Sequence, residues 1–119
     1  MIVQFYLRYS TQFGQTLLVS GNANALGNND HGKAFSLEYL NEQLWHGSVE
    51  IDPATQDEPL RYKYILRNET GEYVYEFGED KTVDIRKLKA DKIVLTDTWN
   101  HAGQFENSFF TSPFQEVLL

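Results

Sequence analysis

The side chains that could perform acid–base or metal chemistry are scattered along this sequence. Its 119 residues include 17 Asp and Glu and three His, but no Cys. Cleavage of a glycosidic bond needs two carboxylates about 5–9.5 Å apart, and none of the acidic residues lies in a diagnostic motif. His31, His46 and His101 lack the i, i+4 spacing of a helical zinc site. We therefore expect no catalytic site, metal or cofactor within this chain.

Alternating apolar and polar residues predict the elements that would position any site. Val3, Phe5, Leu7 and Tyr9 fall on one face of a first strand. Further strands are predicted near residues 15–20, 33–37, 45–51, 61–67, 73–77, 81–85 and 92–98. This pattern predicts an all-β fold, a seven- to eight-stranded antiparallel immunoglobulin-like β-sandwich with Greek-key connections.

Two parts of the chain are predicted to differ in organisation. The sandwich is expected to span residues 1–99. Residues 100–119, which include Phe109-Phe110 and end on Leu118-Leu119, are expected to form a C-terminal linker or extension towards a following domain. A free apolar tail would be prone to association, so packing against such a domain is the expected arrangement.

The charge of the chain limits its partners. A net charge of −7 and a pI near 4.8 argue against nucleic acid and against an anionic membrane, because binding to phosphate depends on Lys and Arg. The sequence contains no apolar run long enough for a transmembrane helix. Residues 1–9 alternate like a strand and lack the features of a secretion signal. We expect a cytoplasmic protein.

Five segments occur in the order and spacing of a known family. They are Gly14-Gln15 followed by Leu26-Gly27-Asn28-Asn29-Asp30, Trp45 to Ile51, Pro59 to Ile65, Tyr75 to Lys81, and Asp97-Thr98-Trp99. Together they resemble the starch-binding domain, family 20 of the carbohydrate-binding modules, over about residues 2–99. The resemblance implies non-catalytic binding of α-1,4-glucan (starch, glycogen or maltodextrin) by aromatic stacking. The chain also resembles the N-terminal modules of plant-type 4-alpha-glucanotransferases and their amylomaltase relatives, which implies a covalently linked catalytic domain.

The resemblance implies a first glycan site at Asn29, Lys63, Tyr75 and Asp80, with Glu76 adjacent. Members of the family usually carry a stacking Trp at the position of Asn29, and an amide cannot replace that ring. Tyr75 could still stack, with a smaller ring, and Lys63 could bind hydroxyl groups. The alternative interpretation is that Tyr75 packs against a neighbouring strand and Lys63 is a solvated charge.

A second site is implied near Phe13, Tyr39 and Trp45. Phe13 lies between polar residues in a predicted turn, where it could bind a sugar or cover the end of the sandwich. Trp45 begins an alternating apolar face, so a core role is as compatible with the sequence as a sugar contact. Trp99 is expected to be structural.

A degenerate module that serves as a spacer or docks onto a catalytic domain is the main alternative, since β-sandwiches carry many unrelated functions. Solvent exposure distinguishes the two hypotheses. An exposed pair among Phe13, Tyr39, Trp45 and Tyr75 favours glycan binding, whereas burial of all four favours a spacer.

Overall fold

The computed structural model describes residues 1–99, and these residues form nine β-strands. The strands are β1 (Ile2–Arg8), β2 (Thr16–Gly21), β3 (Phe35–Ser36), β4 (Glu38–Asn41), β5 (Leu44–Glu50), β6 (Leu60–Arg67), β7 (Tyr73–Tyr75), β8 (Lys81–Val83) and β9 (Lys92–Thr98). Short 3-10 turns span Asn24–Leu26, His31–Lys33, Pro53–Thr55 and Ile85–Lys87. Residues 100–119, the predicted linker, lie outside the described part of the chain.

The strands form two sheets, and the predicted β-sandwich is confirmed. One sheet has the order β4-β5-β1-β9, and the other has the order β3-β2-β6-β7 with β8 also paired to β6. The pairing of β1 with β9 is parallel, with Ile2 opposite Lys92 and Arg8 opposite Thr98. The sequence predicted antiparallel pairing throughout. Alternation determines which face a side chain occupies but carries no information on the direction of the neighbouring strand.

Strand β4 is present in the structure but was not predicted from the sequence. All four of its residues are exposed, and the strand pairs only with β5, at the edge of its sheet. An edge strand without a buried face has no alternation between apolar and polar residues. The sequence pattern therefore predicts no strand over residues 38–41.

The core lies between the two sheets. Val3, Phe5 and Leu7 of β1 are completely buried, as their alternation predicts. The ring of Phe5 makes edge-to-face contacts with Tyr62 and Tyr64 of β6, with centroids 5.4 and 6.4 Å apart. Burying each such side chain contributes about 1.5–3 kcal/mol, so contacts of this kind hold the sheets together.

Three aspartates start the 3-10 turns that connect the strands. Asp30, Asp52 and Asp84 each accept a hydrogen bond from the backbone N–H two residues later. An aspartate side chain commonly stabilises a turn in this way.

Among residues 1–99, no helix is long and apolar enough to cross a membrane.

Candidate functional site

The loop after β2 has an unusual backbone that positions the residues following it. Gly27, Asn28 and Asn29 all have positive φ, at 87°, 51° and 68°. Gly and Asn adopt this conformation more readily than other residues. The Asn29 N–H donates to the carbonyl oxygen of Gly21 at 2.7 Å, which fixes the loop to the end of β2. The turn that carries His31 follows directly.

We expect Gly27→Ala to disrupt this loop. A Cβ at position 27 would lie 2.6 Å from the carbonyl oxygen of Lys33, and the φ of 87° is unfavourable for alanine. The two effects should lower the free energy of unfolding by about 1–3 kcal/mol. Denaturant unfolding measures the loss, with Gly71→Ala as a control, because Gly71 shares the positive φ but faces open space. Equal losses in the two variants would show that the contact with Lys33 has no role.

A first cleft of about 290 Å³ lies between this loop and the sheet of β6 and β7. It is lined by Ser20, Asn29, His31, Lys63, Ile65, Tyr75 and Asp80. The Lys63 ammonium donates to the carbonyl oxygen of Gly78 at 2.9 Å and lies 3.5 Å from the Asp80 carboxylate. Tyr75 is 47% exposed. The structure thus places Asn29, Lys63, Tyr75 and Asp80 around one cleft.

Glu76 differs from the expectation that it would lie at this site. Its side chain points into the interior and is 4% exposed. One carboxylate oxygen accepts from the Tyr64 N–H at 3.2 Å, and the other pairs with the buried ammonium of Lys81. A buried carboxylate in these contacts holds the segment between Tyr75 and Lys81 in place rather than facing the cleft.

A second cleft of about 340 Å³ lies at the turn between β1 and β2. It is lined by Thr11, Gln12, Phe13, Gly14, Gln15, Tyr39 and Trp45. Phe13 is 88% exposed and Tyr39 55% exposed, whereas Trp45 is only 7% exposed. The Trp45 indole N–H donates to the Thr11 hydroxyl at 3.2 Å, and the ring meets Tyr39 edge-to-face with centroids 5.7 Å apart. Trp45 is therefore a core residue that supports Tyr39, and the exposed pair is Phe13 and Tyr39.

A larger cleft of about 460 Å³ is less suited to stacking. It lies between the loop after β2 and the segment after β5, and its lining includes Asn22, Asn24, Asn28, Glu50 and Asp52. None of the residues lining this cleft is aromatic. Exposed aromatic rings of the described residues line the two smaller clefts instead.

Comparison with known proteins identifies the family. The sequence model of the Starch binding domain, carbohydrate-binding module family 20, matches residues 1–94. The chain belongs to this starch-binding domain family.

Relatives of the starch-binding domain are parts of larger enzymes. The 4-alpha-glucanotransferase DPE2 of Oryza sativa is 30% identical over 122 residues, which is 96% of this chain and 12% of the rice enzyme. The glucoamylase of Neurospora crassa is 28% identical over 103 residues, 83% of this chain and 16% of that enzyme. The solved structure of a Hypocrea jecorina family 15 glucoamylase superimposes with a TM-score of 0.73 at 34% identity, covering 83% of this chain and 17% of that one. The chain therefore spans a small part of each of these three proteins.

His31 and Tyr73 of the starch-binding domain lie beside the first cleft, and sequence reasoning missed both. The imidazole ring of His31 meets the rings of Tyr73 and Tyr75 edge-to-face, with centroids 5.4 and 5.6 Å away. The spacing of Tyr73 and Tyr75 places both on one face of a strand, which was the available signal. The contact with His31 depends on the fold of the loop and has no local signature.

Within residues 1–99, no three His, Asp or Glu side chains come together as a group that could hold a metal ion. The polar groups at the first cleft include an ammonium, a carboxylate, an amide and a hydroxyl, which suit hydrogen bonding to a neutral ligand.

Proposed function

We propose that this starch-binding domain binds α-1,4-glucan without cleaving it and delivers the polysaccharide to an attached 4-alpha-glucanotransferase domain. The observation that carries the proposal is the exposure of three aromatic rings, Phe13, Tyr39 and Tyr75, in clefts that also contain polar groups. A sugar ring has an apolar face of C–H groups that a flat exposed ring can cover. Nearby polar side chains can then fix its hydroxyl groups.

The second cleft is proposed as the main glycan site. Phe13 is almost fully exposed at the tip of a turn, and Tyr39 stands across the same cleft on the buried support of Trp45. A rigid, supported ring loses little conformational freedom on binding. These features favour glycan binding over a spacer, because burial of the four candidate rings is what a spacer would require.

Substitution of Phe13 by alanine should weaken glucan binding by about threefold to tenfold, the effect of losing one stacked ring. The measurement is calorimetric titration of residues 1–119 with maltoheptaose. Ile2→Ala is the control, because Ile2 is an exposed apolar residue of β1 that lines neither cleft. Absence of binding by the unaltered chain at millimolar maltoheptaose would contradict the proposal and favour the docking spacer. Binding that Phe13→Ala leaves unchanged would locate the main site elsewhere.

The attached glucanotransferase is supported by the match to the rice enzyme, which covers nearly all of this chain but a small part of that protein. The test compares the parent protein with and without this domain. Removal should reduce glucan transfer to or from glycogen more than transfer between short maltooligosaccharides. An equal reduction with both substrates would indicate a structural contribution to the catalytic domain.

A further inference from the structure

We infer that Tyr73 and Tyr75 form a two-ring stacking platform along β7, with His31 as the residue that positions both rings. The inference rests on the proposed function, since the ligand is the same α-1,4-glucan. In this arrangement Tyr73 supplies the second aromatic ring of the first site, because Asn29 has no ring. The glucan would then run along β7 over the outer face of the sheet.

The two tyrosines are arranged as a platform. They are two residues apart on β7 and pair with Arg67 and Ile65 of β6, so their side chains lie on the same face of the sheet. Their ring centroids are 6.4 Å apart and the rings are tilted by only 30°. Tyr73 is 37% exposed and Tyr75 47% exposed. Two exposed rings at a small angle can cover successive sugar units of a curved chain.

His31 links this platform to the loop after β2. Asp30 accepts a hydrogen bond from the Gly32 N–H at 3.0 Å and so starts the turn that carries His31. The imidazole meets the rings of Tyr73 and Tyr75 at 69° and 82°, in edge-to-face geometry. Contact with both rings restricts their rotation before a ligand arrives, which reduces the entropy lost on binding.

Two apolar side chains lie beside the platform on the same face of the sheet. Leu18 of β2 and Ile65 of β6 are cross-strand partners, and both are buried although they lie outside the main core cluster between the sheets. Ile65 lines the first cleft together with His31 and Tyr75. Because these side chains are buried on the outer face of their sheet, neighbouring side chains must cover them and are packed in place rather than free in solvent.

Polar groups lie at both ends of the platform. Lys63 and Asp80 share the first cleft with Tyr75, and the exposed Arg67 is the cross-strand partner of Tyr73. Apolar rings between charged hydrogen-bonding groups suit a ligand with apolar ring faces and a rim of hydroxyl groups. This arrangement extends the first site by one sugar-stacking position along β7.

The test follows backbone amide signals of the full chain by NMR during titration with maltotriose and maltoheptaose. Shifts at Gly32, Glu76 and Asp80 report on the first site, and shifts at Gly14 report on the second. Tyr73→Ala should weaken maltoheptaose binding at the first site by about threefold to tenfold and affect maltotriose less. Tyr73→Phe should retain binding. Val74→Ala is the matched control, since Val74 is an exposed residue of the same strand but points to the other face.

His31 is tested by removal and rescue. His31→Ala should weaken maltoheptaose binding at the first site and shift the ring signals of Tyr73 and Tyr75, with no change in shifts at Gly14. His31→Phe, which restores a ring, should recover the affinity. If Tyr73→Ala changes first-site affinity no more than Val74→Ala does, the two-ring platform is refuted. The proposed function would stand, because the unaltered chain would still bind the glucan. No amide shifts anywhere with either sugar would instead contradict the proposed function.

Discussion

Replacing Lys81 by methionine should lower the free energy of unfolding by about 3–5 kcal/mol, the range for removing one partner of a buried ion pair. The Lys81 and Glu76 side chains are 9% and 2% exposed, and their charged groups are in direct contact. The Lys81 ammonium also lies 5.6 Å from the centre of the Tyr64 ring. Methionine keeps much of the apolar stem but leaves the Glu76 carboxylate in the interior without this cation.

Two further variants separate the charge effect from other losses. Lys87→Met removes the same charge from a side chain that is 80% exposed and 3.9 Å from Asp84, so its effect should stay below about 1 kcal/mol. Adding Glu76→Gln to Lys81→Met removes both buried charges while keeping an acceptor for the Tyr64 N–H, and should recover most of the lost stability. Urea unfolding of the four proteins measures these differences. A double variant as unstable as Lys81→Met alone would contradict the charge explanation.

The same pair affects the first cleft. Glu76 directly follows Tyr75 and Lys81 directly follows Asp80, so their contact closes the segment that carries both cleft residues. The Gly78 carbonyl in this segment accepts from Lys63. A buried ion pair therefore fixes the separation between the Tyr75 ring and the polar groups of Lys63 and Asp80, and Lys81→Met should weaken the proposed glycan binding at the first cleft as well as stability.

Much of the fold follows from local patterns in the sequence. The alternation of Val3, Phe5 and Leu7 predicts their burial, and the eight predicted strands all occur. The parallel pairing of β1 with β9 involves residues about 90 positions apart, and no local pattern encodes it. The exposed strand β4 has no buried face, so its residues give no alternation.

Candidate site residues could be predicted only where a sequence motif marks their positions. The resemblance implied Lys63, Tyr75 and Asp80 as site residues, and all three line one cleft. Glu76 was expected beside this cleft from the resemblance, but it is buried and paired with Lys81, which lies across a turn. His31 reaches the two tyrosines only because Gly27 and Asn29 bend the loop. Contacts of these kinds depend on tertiary structure.

Stability should fall as the pH rises from about 4 to about 6, because of Asp97 in the core. Tyr62 and Tyr64 donate their hydroxyl hydrogens to one oxygen of this carboxylate, at 2.9 and 2.6 Å. The other oxygen has no hydrogen-bond partner among residues 1–99. Burial raises the pKa of Asp97 from 3.8 to about 6, although the tyrosine hydroxyls and Lys81 oppose the increase. Burial also raises the pKa of Tyr64 well above its usual value, so Tyr64 remains a donor.

The direction of this pH dependence follows from the number of protons that the native and unfolded chains bind. Between about pH 4 and pH 6 the native chain keeps a proton on Asp97 that the unfolded chain has lost, so the free energy of unfolding decreases as the pH rises. A pKa difference from 3.8 to about 6 corresponds to about 3 kcal/mol. Asp84 acts oppositely and at lower pH, because its hydrogen bonds to Arg86 lower its pKa to about 2. The stabilisation that Asp84 provides is nearly complete above about pH 4. Asp84 therefore contributes little to the change in stability between about pH 4 and pH 6.

Asp97→Asn isolates this effect from the repulsion among the other acidic residues. The amide oxygen can still accept from both tyrosine hydroxyls, but the side chain no longer titrates. We expect the unaltered chain to lose about 3 kcal/mol relative to Asp97→Asn between pH 4 and pH 7, as measured by urea unfolding at half-unit intervals. Parallel pH profiles for the two proteins would mean that the Asp97 carboxylate titrates alike in the native and unfolded states. A widening gap in favour of Asp97→Asn would show that the core holds this carboxyl group most stably in its neutral form, because burial removes the water that would solvate the ionised form.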